Sequence, residues 1–254
     1  KELVALARAR PGEMSYASAG VGGAGPMAAE LFNPPGGLEK ADLPSKGNAQ
    51  GIGGVISGQG TLLVAPVCTS PPPTPPETRV PAERLLRAAD EPQNWLTYSG
   101  SYASQRYSLL RQIDTSNVKN LELKWMMQNQ VFGPWETSPL VVDGIMYLTQ
   151  RPNDVIALDA KTGRMFWLYR YTNSGRQQVC CGAQNRGVAM LGDTLFMGTL
   201  DAHVVAIDAK NGKPLWNVAV ADDKLAYSIT LAPLVVKDKV IIGVGGAEYG
   251  IRGF

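Results

Sequence analysis

Apolar and polar positions alternate in short segments through the second half of the chain, and the pattern recurs with a fixed spacing. Residues 155–158 form an apolar run that ends in Asp-Ala-Lys-Thr-Gly, and residues 204–207 form the same run before Asp-Ala-Lys-Asn-Gly. A segment containing a tryptophan follows each copy, and Trp167 and Trp216 lie 49 residues apart. The alternation predicts short β-strands joined by tight turns, in which the aspartate bonds the turn backbone and the glycine supplies a positive φ.

A predicted β-hairpin stands in front of each copy, and a third hairpin follows the second copy. The turns of these hairpins are Asp143-Gly144, Gly192-Asp193 and Lys237-Asp238, and the flanking apolar runs are 140–142 with 145–149, 188–191 with 194–198, and 234–236 with 240–242. A period of roughly 40–50 residues made of four short strands is typical of one blade of a β-propeller. The sequence therefore predicts an all-β propeller fold, of which this chain carries two whole blades and part of a third.

The first third of the chain lacks this pattern. Residues 2–10 are typical of a helix that ends at Pro-Gly, and residues 15–19 are compatible with a short strand. Residues 34–81 are rich in glycine, serine and proline, which predicts a disordered linker. We divide the chain into residues 1–33, the linker at 34–81, and a propeller region at 82–254 that opens with a short amphipathic helix.

Composition and charge exclude several classes of function. The formal net charge is only +2 and the basic residues form no block, so we expect no nucleic-acid partner. No apolar stretch reaches the length of about 18 residues that a membrane span needs, and the first residues lack the apolar core of a signal peptide. Three cysteines are too few for a disulfide scaffold.

Polar residues occupy matched places in successive repeats. Glu136, Arg186 and Thr230 stand seven, seven and eight residues before the turns of their hairpins, just ahead of the first strand. In a propeller those places surround one mouth of the central axis. Because the second strand of each hairpin runs back to the same side, residues 246–248 are expected there too, and the pair Cys180-Cys181 lies just upstream of a first strand. The sequence thus predicts a polar site at this mouth.

Several phrases from Glu91 onward resemble the N-terminal third of the pyrroloquinoline-quinone (PQQ) alcohol dehydrogenases. The phrases are Trp95-Leu-Thr-Tyr-Ser-Gly, Ser104-Gln-Arg-Tyr-Ser, Ile113-Asp-Thr-Ser-Asn-Val-Lys-Asn-Leu, Trp135-Glu-Thr-Ser-Pro-Leu, Cys180-Cys181 and Gly246-Ala-Glu-Tyr-Gly. The resemblance covers about residues 83–254 and implies an eight-bladed quinoprotein propeller. It also implies a periplasmic enzyme that oxidises primary alcohols to aldehydes by hydride transfer to PQQ and passes electrons to a cytochrome c-type acceptor.

The same resemblance assigns roles to residues of the predicted mouth. The residues implied to contact PQQ are Glu136, Cys180, Cys181, Arg186, Thr230, Gly246 and Ala247. The two adjacent cysteines correspond to a disulfide that packs on one face of the quinone. Glu248 corresponds to the ligand of a calcium or lanthanide ion. The catalytic aspartate base of the family is expected beyond Phe254, so the chain is expected to be incomplete and inactive alone.

Two other functions remain open at this stage. The first is a non-catalytic propeller scaffold for protein interactions, which would not need the polar residues of the mouth. The second is solute binding, since residues 1–32 resemble part of the periplasmic receptors of tripartite tricarboxylate transporters through Ala-Arg-Pro-Gly-Glu-Met-Ser-Tyr-Ala-Ser-Ala-Gly and Ala-Ala-Glu-Leu-Phe. The resemblance covers so few residues that we expect no receptor-like binding.

Overall fold

The structure, a computed structural model, describes residues 15–18, 41–44, 57, 62–63, 73–129, 131–174, 179–180 and 182–254. The chain divides into two units, Lys1–Pro71 and Pro72–Phe254. In the first unit, the strands β1 (Ser15–Ser18), β2 (Ala41–Pro44) and β3 (Leu62–Leu63) form a parallel sheet in the order β2-β1-β3. The prediction of a strand at residues 15–19 is therefore confirmed, whereas the helix predicted at 2–10 lies outside the described residues.

The strands β2 and β3 fall inside residues 34–81, for which the sequence predicted a linker without regular structure. That prediction is wrong for these two segments, because each pairs in parallel with β1. Parallel pairing joins strands that are distant in sequence, so no local hairpin signal announces it.

The second unit contains two four-stranded antiparallel sheets and a separate hairpin. The strands are β4 (Leu140–Val142), β5 (Ile145–Gln150), β6 (Asp154–Asp159), β7 (Met165–Tyr169), β8 (Ala189–Leu191), β9 (Thr194–Gly198), β10 (His203–Asp208), β11 (Pro214–Ala219), β12 (Leu234–Val236) and β13 (Lys239–Ile241). Blade 1 has the order β4-β5-β6-β7, blade 2 has the order β8-β9-β10-β11, and β12 pairs with β13. The prediction of two whole blades and part of a third is confirmed.

The helices of this unit are short. The helix α1 (Ala82–Leu86) is followed by a 3₁₀ turn, which matches the amphipathic helix predicted there. The 3₁₀ turns are Ala88–Asp90, Val118–Asn120, Asp223–Leu225 and Ala247–Tyr249. Among the residues that the structure describes, none of the helices has the length and apolar character needed to cross a bilayer.

The Asp-to-Gly turns form as the sequence predicted. The Asp159 carboxylate accepts the backbone N–H of Lys161 at 2.8 Å, and the Asp208 carboxylate accepts that of Lys210 at 2.8 Å. Gly163 closes the first turn with φ +71°. These local hydrogen bonds hold each turn independently of the rest of the blade, so the repeat unit is encoded locally.

A tryptophan packs on each turn and joins it to the preceding segment. The Trp125 indole N–H donates to the Ala160 carbonyl oxygen at 3.1 Å, and the Trp167 indole N–H donates to the Ala209 carbonyl oxygen at 3.1 Å. Ala209 belongs to blade 2 and Trp167 to blade 1, so this hydrogen bond connects the two blades. The Trp167 ring leaves no room for a side chain at Gly212, where a Cβ would lie 2.6 Å from ring carbon Cε3.

The core lies between the two blades and under α1. Its fully buried members include Leu140, Ile145, Tyr147, Met197 and Val205. The Tyr147 hydroxyl is hydrogen bonded to the Thr78 hydroxyl at 3.0 Å and donates to the Ala209 carbonyl at 3.2 Å, so the buried polar atom is satisfied. The interior therefore fixes blade 1, blade 2 and residue 78 in one packed body.

Residues before the first blade are tied to the hairpin turns by backbone pairing and by one ion cluster. Val80 pairs with Gly192, and Trp95 pairs with Val141. The Arg84 guanidinium contacts the Glu91 carboxylate at 2.6 Å and the Asp143 carboxylate at 2.5 Å. The fork of arginine suits two carboxylates at once, so α1 is clamped to the β4–β5 turn.

Candidate polar site

The predicted mouth corresponds to the end of the blades at which β4, β8 and β12 begin. Glu136, Arg186 and Thr230 precede these three strands, as the spacing predicted. Glu136 follows Trp135, which packs against the buried cluster of Leu148, Ile156 and Leu158. The Glu136 side chain is therefore carried by a segment that packs on blade 1.

Arg186 links the other two residues. Its Nη2 lies 2.7 Å from the Glu136 carboxylate, and its Nη1 donates to the Thr230 hydroxyl at 2.9 Å. The backbone pairs as well, because the Arg186 N–H donates to the Thr230 carbonyl at 3.0 Å and the Ser138 N–H donates to the Arg186 carbonyl at 3.0 Å. Three successive repeats thus meet through one guanidinium, whose side chain keeps 37% of its surface exposed.

The segment 246–248 is held beside Thr230 by backbone pairing two residues away, where Ser228 and Gly245 exchange hydrogen bonds of 3.2 and 2.7 Å. Gly246 has φ +122°, and a Cβ at this residue would lie 2.4 Å from the Ala226 carbonyl oxygen. Only glycine fits there. The turn then places Ala247 and Glu248 in the exposed 3₁₀ segment Ala247–Tyr249.

Glu248 and Cys180 are in contact. The pKa of Glu248 lies below its usual value because its own backbone N–H, the Cys180 side chain and the Gly246 backbone all hydrogen bond to the carboxylate. Glu248 is consequently ionised at neutral pH and presents a negative charge at the site. Cys181, the other member of the predicted disulfide, lies outside the described residues.

The structure therefore brings together two groups of the residues singled out from the sequence. Arg186 joins Glu136 to Thr230, and Cys180 joins Glu248. The charges of Glu136 and Arg186 offset each other in the first group, and the second group carries the negative charge of Glu248. Within the described ranges, no set of three or more His, Cys, Asp or Glu side chains is arranged to hold a metal ion.

Two buried residues that support this site were not predicted from the sequence. The Asn185 side-chain N–H donates to the Gly198 carbonyl at 2.8 Å, and its carbonyl accepts the Gly187 N–H at 3.2 Å, so it holds the backbone on both sides of Arg186. Asp201 is 1% exposed and lies in the β9–β10 turn. An isolated asparagine or aspartate near a turn is common in exposed loops, so neither residue carried a local signal of burial.

The part of the chain that carries this site matches a known family. The sequence model of the PQQ family, described as glucose/ethanol/alcohol dehydrogenase, beta-propeller domain, matches residues 95–249. This match covers more than half of the chain and includes both blades, the third hairpin and all the polar residues of the site. The chain belongs to the PQQ dehydrogenase β-propeller family.

Relatives of this PQQ family member extend the match. The quinohemoprotein alcohol dehydrogenase ADH IIB of Pseudomonas putida is 46% identical over 175 residues, which are 68% of this chain and 25% of that protein. The lanthanide-dependent methanol dehydrogenase of Methylacidiphilum fumariolicum is 41% identical over 176 residues, 67% of this chain and 29% of the relative. The solved structure of ADHIIG from Pseudomonas putida HK5 aligns with a TM-score of 0.65 and 41% identity, covering 70% of this chain and 27% of that one.

The PQQ family member thus spans about a quarter of the length of the curated relatives that it matches first. A second family model, the tripartite tricarboxylate transporter family receptor, matches residues 1–73. That match runs further than the resemblance noted over residues 1–32 and ends close to the boundary between the two structural units. The two families therefore divide the chain at nearly the same place as the structure does.

Proposed function

We propose that this chain provides one side of the cofactor site of a periplasmic enzyme that oxidises primary alcohols to aldehydes by hydride transfer to PQQ. The observation that carries the proposal is Arg186, which lies between Glu136 and Thr230 and joins three successive repeats at one mouth. A cytochrome c-type protein is the proposed electron acceptor. PQQ, when bound, supplies an ortho-quinone that accepts the hydride, while the protein seats and polarises it.

The chemistry of the site fits this cofactor. PQQ carries three carboxylates beside the quinone, and an arginine fork is well suited to carboxylate or quinone oxygens. Arginine has five N–H donors, and the contacts of Arg186 with Glu136 and Thr230 use only part of them. The guanidinium is therefore oriented by its neighbours and still able to donate to a ligand. The backbone of Gly246 and Ala247 closes the site next to Glu248.

A bound cation would offset the negative charges that meet when PQQ occupies this site. The side chains Glu136, Arg186 and Glu248 together carry one net negative charge, and the three carboxylates of PQQ repel such a site unless a cation is bound. Glu248 is ionised and exposed, and a carboxylate oxygen is a ligand that calcium and lanthanides accept. We therefore propose that Glu248 is a metal ligand and that PQQ binding depends on the metal.

The cysteine pair is proposed to form a disulfide between adjacent residues that packs on the quinone. Adjacent Cα atoms are about 3.8 Å apart, which is below the usual range of about 4.4–6.8 Å for disulfides. Such a bond is strained and easily reduced. Cys180 already contacts Glu248, so the disulfide would stand beside the proposed metal ligand.

The described residues are proposed to bind but not to complete the reaction. Calcium takes about 6–8 oxygen ligands, and Glu248 supplies at most two of them. The general base, an aspartate by the family resemblance, is proposed to come from a part of the enzyme outside the described residues. We expect the 254-residue chain to bind PQQ weakly and to show no dye-linked oxidation of ethanol or methanol with added PQQ and Ca²⁺ or La³⁺.

A chimera tests the proposal. Residues 83–254 replace the corresponding segment of ADH IIB, whose sequence is 46% identical over the shared region. We expect the chimera to bind PQQ in the presence of metal and to oxidise ethanol. Arg186→Lys should weaken PQQ binding at least about tenfold, because lysine lacks the fork, whereas the exposed control Arg111→Lys should not. A folded chimera that binds no PQQ would instead support the scaffold alternative.

A further inference from the structure

The β9–β10 turn contains a buried carboxylate with a complete set of donors. Asp201 accepts the Ser174 backbone N–H at 2.7 Å and the Tyr171 hydroxyl at 3.1 Å through Oδ2, and its Oδ1 accepts the Thr199 hydroxyl. Burial raises the pKa of Asp201, but these hydrogen bonds outweigh burial and hold its pKa below the usual value. A buried charge that is fully hydrogen bonded fixes the positions of its partners, because moving any of them leaves the charge uncompensated.

Two of the three partners of Asp201 belong to the connection between the blades. Tyr171 and Ser174 follow β7 in the segment that leads to Cys180. The same segment is held from blade 1, because the Asp154 carboxylate accepts the Tyr171 backbone N–H at 3.2 Å. Ser174 also donates through its hydroxyl to Asp223 at 3.1 Å. The segment therefore depends on carboxylates from both blades, with Asp201 the most buried of them.

Residues next to Arg186 and Thr230 also hydrogen bond to the same turn. Asn185, next to Arg186, donates to the Gly198 carbonyl at 2.8 Å. The Ile229 N–H, next to Thr230, donates to the Thr199 carbonyl at 3.0 Å. Residues adjacent to Arg186 and Thr230, and the segment 171–174, thus meet at residues 198–201.

Comparison of the two blades indicates whether Asp201 is needed for the blade to fold. The strands β5 and β9, and likewise β6 and β10, start 49 residues apart, so Pro152 stands in blade 1 where Asp201 stands in blade 2. Blade 1 forms the same four strands without a carboxylate at this place. A blade therefore forms without an aspartate at this place, and two of the three donors to Asp201 come from the connection.

We propose that Asp201 is a positioning residue of the polar site, which ties the segment 171–174 to the turn at 198–201, where the neighbours of Arg186 and Thr230 are held. The proposal rests on the proposed function for its consequence, because the site so positioned is the one assigned to PQQ. The hydrogen bonds of the Asp201 side chain go to Tyr171, Ser174 and Thr199, so its proposed effect on the site is indirect.

Amide hydrogen exchange on the full chain tests the positioning. In Asp201→Ala, the amide of Ser174 should exchange about tenfold faster, since a hydrogen bond to a charged acceptor is lost, while β10 keeps its protection. Asp201→Asn should restore part of the protection, because its amide oxygen accepts the same N–H. The control Asp238→Asn removes an exposed charge from another turn. It should change neither the exchange rate of the Ser174 amide nor the protection of β10.

Two results would overturn the proposal. Unchanged exchange at residues 171–174 would show that Asp201 does not hold the segment, and equal acceleration throughout β8–β10 would show that it only stabilises the blade. The chimera provides the second arm, in which Asp201→Ala should weaken metal-dependent PQQ binding about tenfold. If the unsubstituted chimera binds no PQQ, the proposed function fails, and the exchange rates still decide whether Asp201 positions the segment.

Discussion

The contact between Trp167 and the turn of blade 2 makes the docking of one blade on the next measurable with a pair of glycine substitutions. Gly212 has φ +72°, and a Cβ at this residue would lie 2.6 Å from Trp167 Cε3. Gly192 has φ +63° in another turn of the same blade, but a Cβ there would meet no atom within 4 Å. Gly192→Ala therefore reports the cost of the backbone conformation, and Gly212→Ala reports that cost together with the loss of blade docking.

The two glycine substitutions are expected to lower the free energy of unfolding by clearly different amounts. A left-handed conformation costs an alanine roughly 1–2 kcal/mol, so Gly192→Ala should destabilise the propeller unit by about 1 kcal/mol. In Gly212→Ala, overpacking against the indole adds about 1–3 kcal/mol. If the ring moves away, the hydrogen bond from its N–H to Ala209 is lost, at about 1 kcal/mol. We expect a total of about 3–5 kcal/mol, a large part of the roughly 5–15 kcal/mol that a domain possesses.

Urea unfolding monitored by tryptophan fluorescence provides the assay. The midpoint should fall much further for Gly212→Ala than for Gly192→Ala, with little change in the slope of the transition. In a Trp167→Ala background, the difference between the two glycine substitutions should nearly vanish, because the ring that the new methyl group would meet is absent. Equal midpoints for the two substitutions in the unmodified chain would refute the idea that the indole locks the blades.

Further expectations concern the clamp on α1 and the buried tyrosine. Arg84→Ala should lower the free energy of unfolding by about 2–3 kcal/mol, because the partly exposed carboxylates of Glu91 and Asp143 lose their charged donor. Arg84→Lys should lower it by a smaller amount, because lysine keeps the charge but lacks the fork. The urea midpoints of both variants check this expectation. Burial raises the pKa of Tyr147 to about 12, so stability that is present below pH 10 should be lost between about pH 10 and pH 12, by roughly 2–3 kcal/mol. Tyr147→Phe should make this alkaline loss smaller but not abolish it, because burial also raises the pKa of Tyr102, Tyr169 and Tyr171. A wild-type unfolding free energy that is flat over that range would contradict the expectation.

Local pattern predicted most of the propeller region correctly, because a hairpin is a short-range object. Asp143-Gly144 and Gly192-Asp193 set the turns, and the alternation on either side set the strands within one or two residues. The repeat then placed Glu136, Arg186 and Thr230 at equivalent positions before anything was known of their contacts. Their roles toward a cofactor remain a proposal.

The first unit shows where local pattern fails. The strands β2 and β3 are short, and they pair in parallel with β1 across long stretches of chain. Loop closure over such distances leaves no trace in the spacing of apolar residues. A glycine-rich and proline-rich composition therefore suggested a linker where short strands are present.

The sequence by itself determined the repeat, the turns and the class of residues at the mouth, since each of these depends on side chains close together along the chain. Only the tertiary structure decided that one guanidinium joins Glu136 to Thr230, that Cys180 meets Glu248, and that Asp201 is buried beneath the connection between the blades. Those contacts depend on how far one blade rotates and shifts against the next. The packing of Trp167 on blade 2 and the packing of the shared core set that geometry. Hydrogen bonds between residues thirty or more positions apart form only where this packing brings the two residues together.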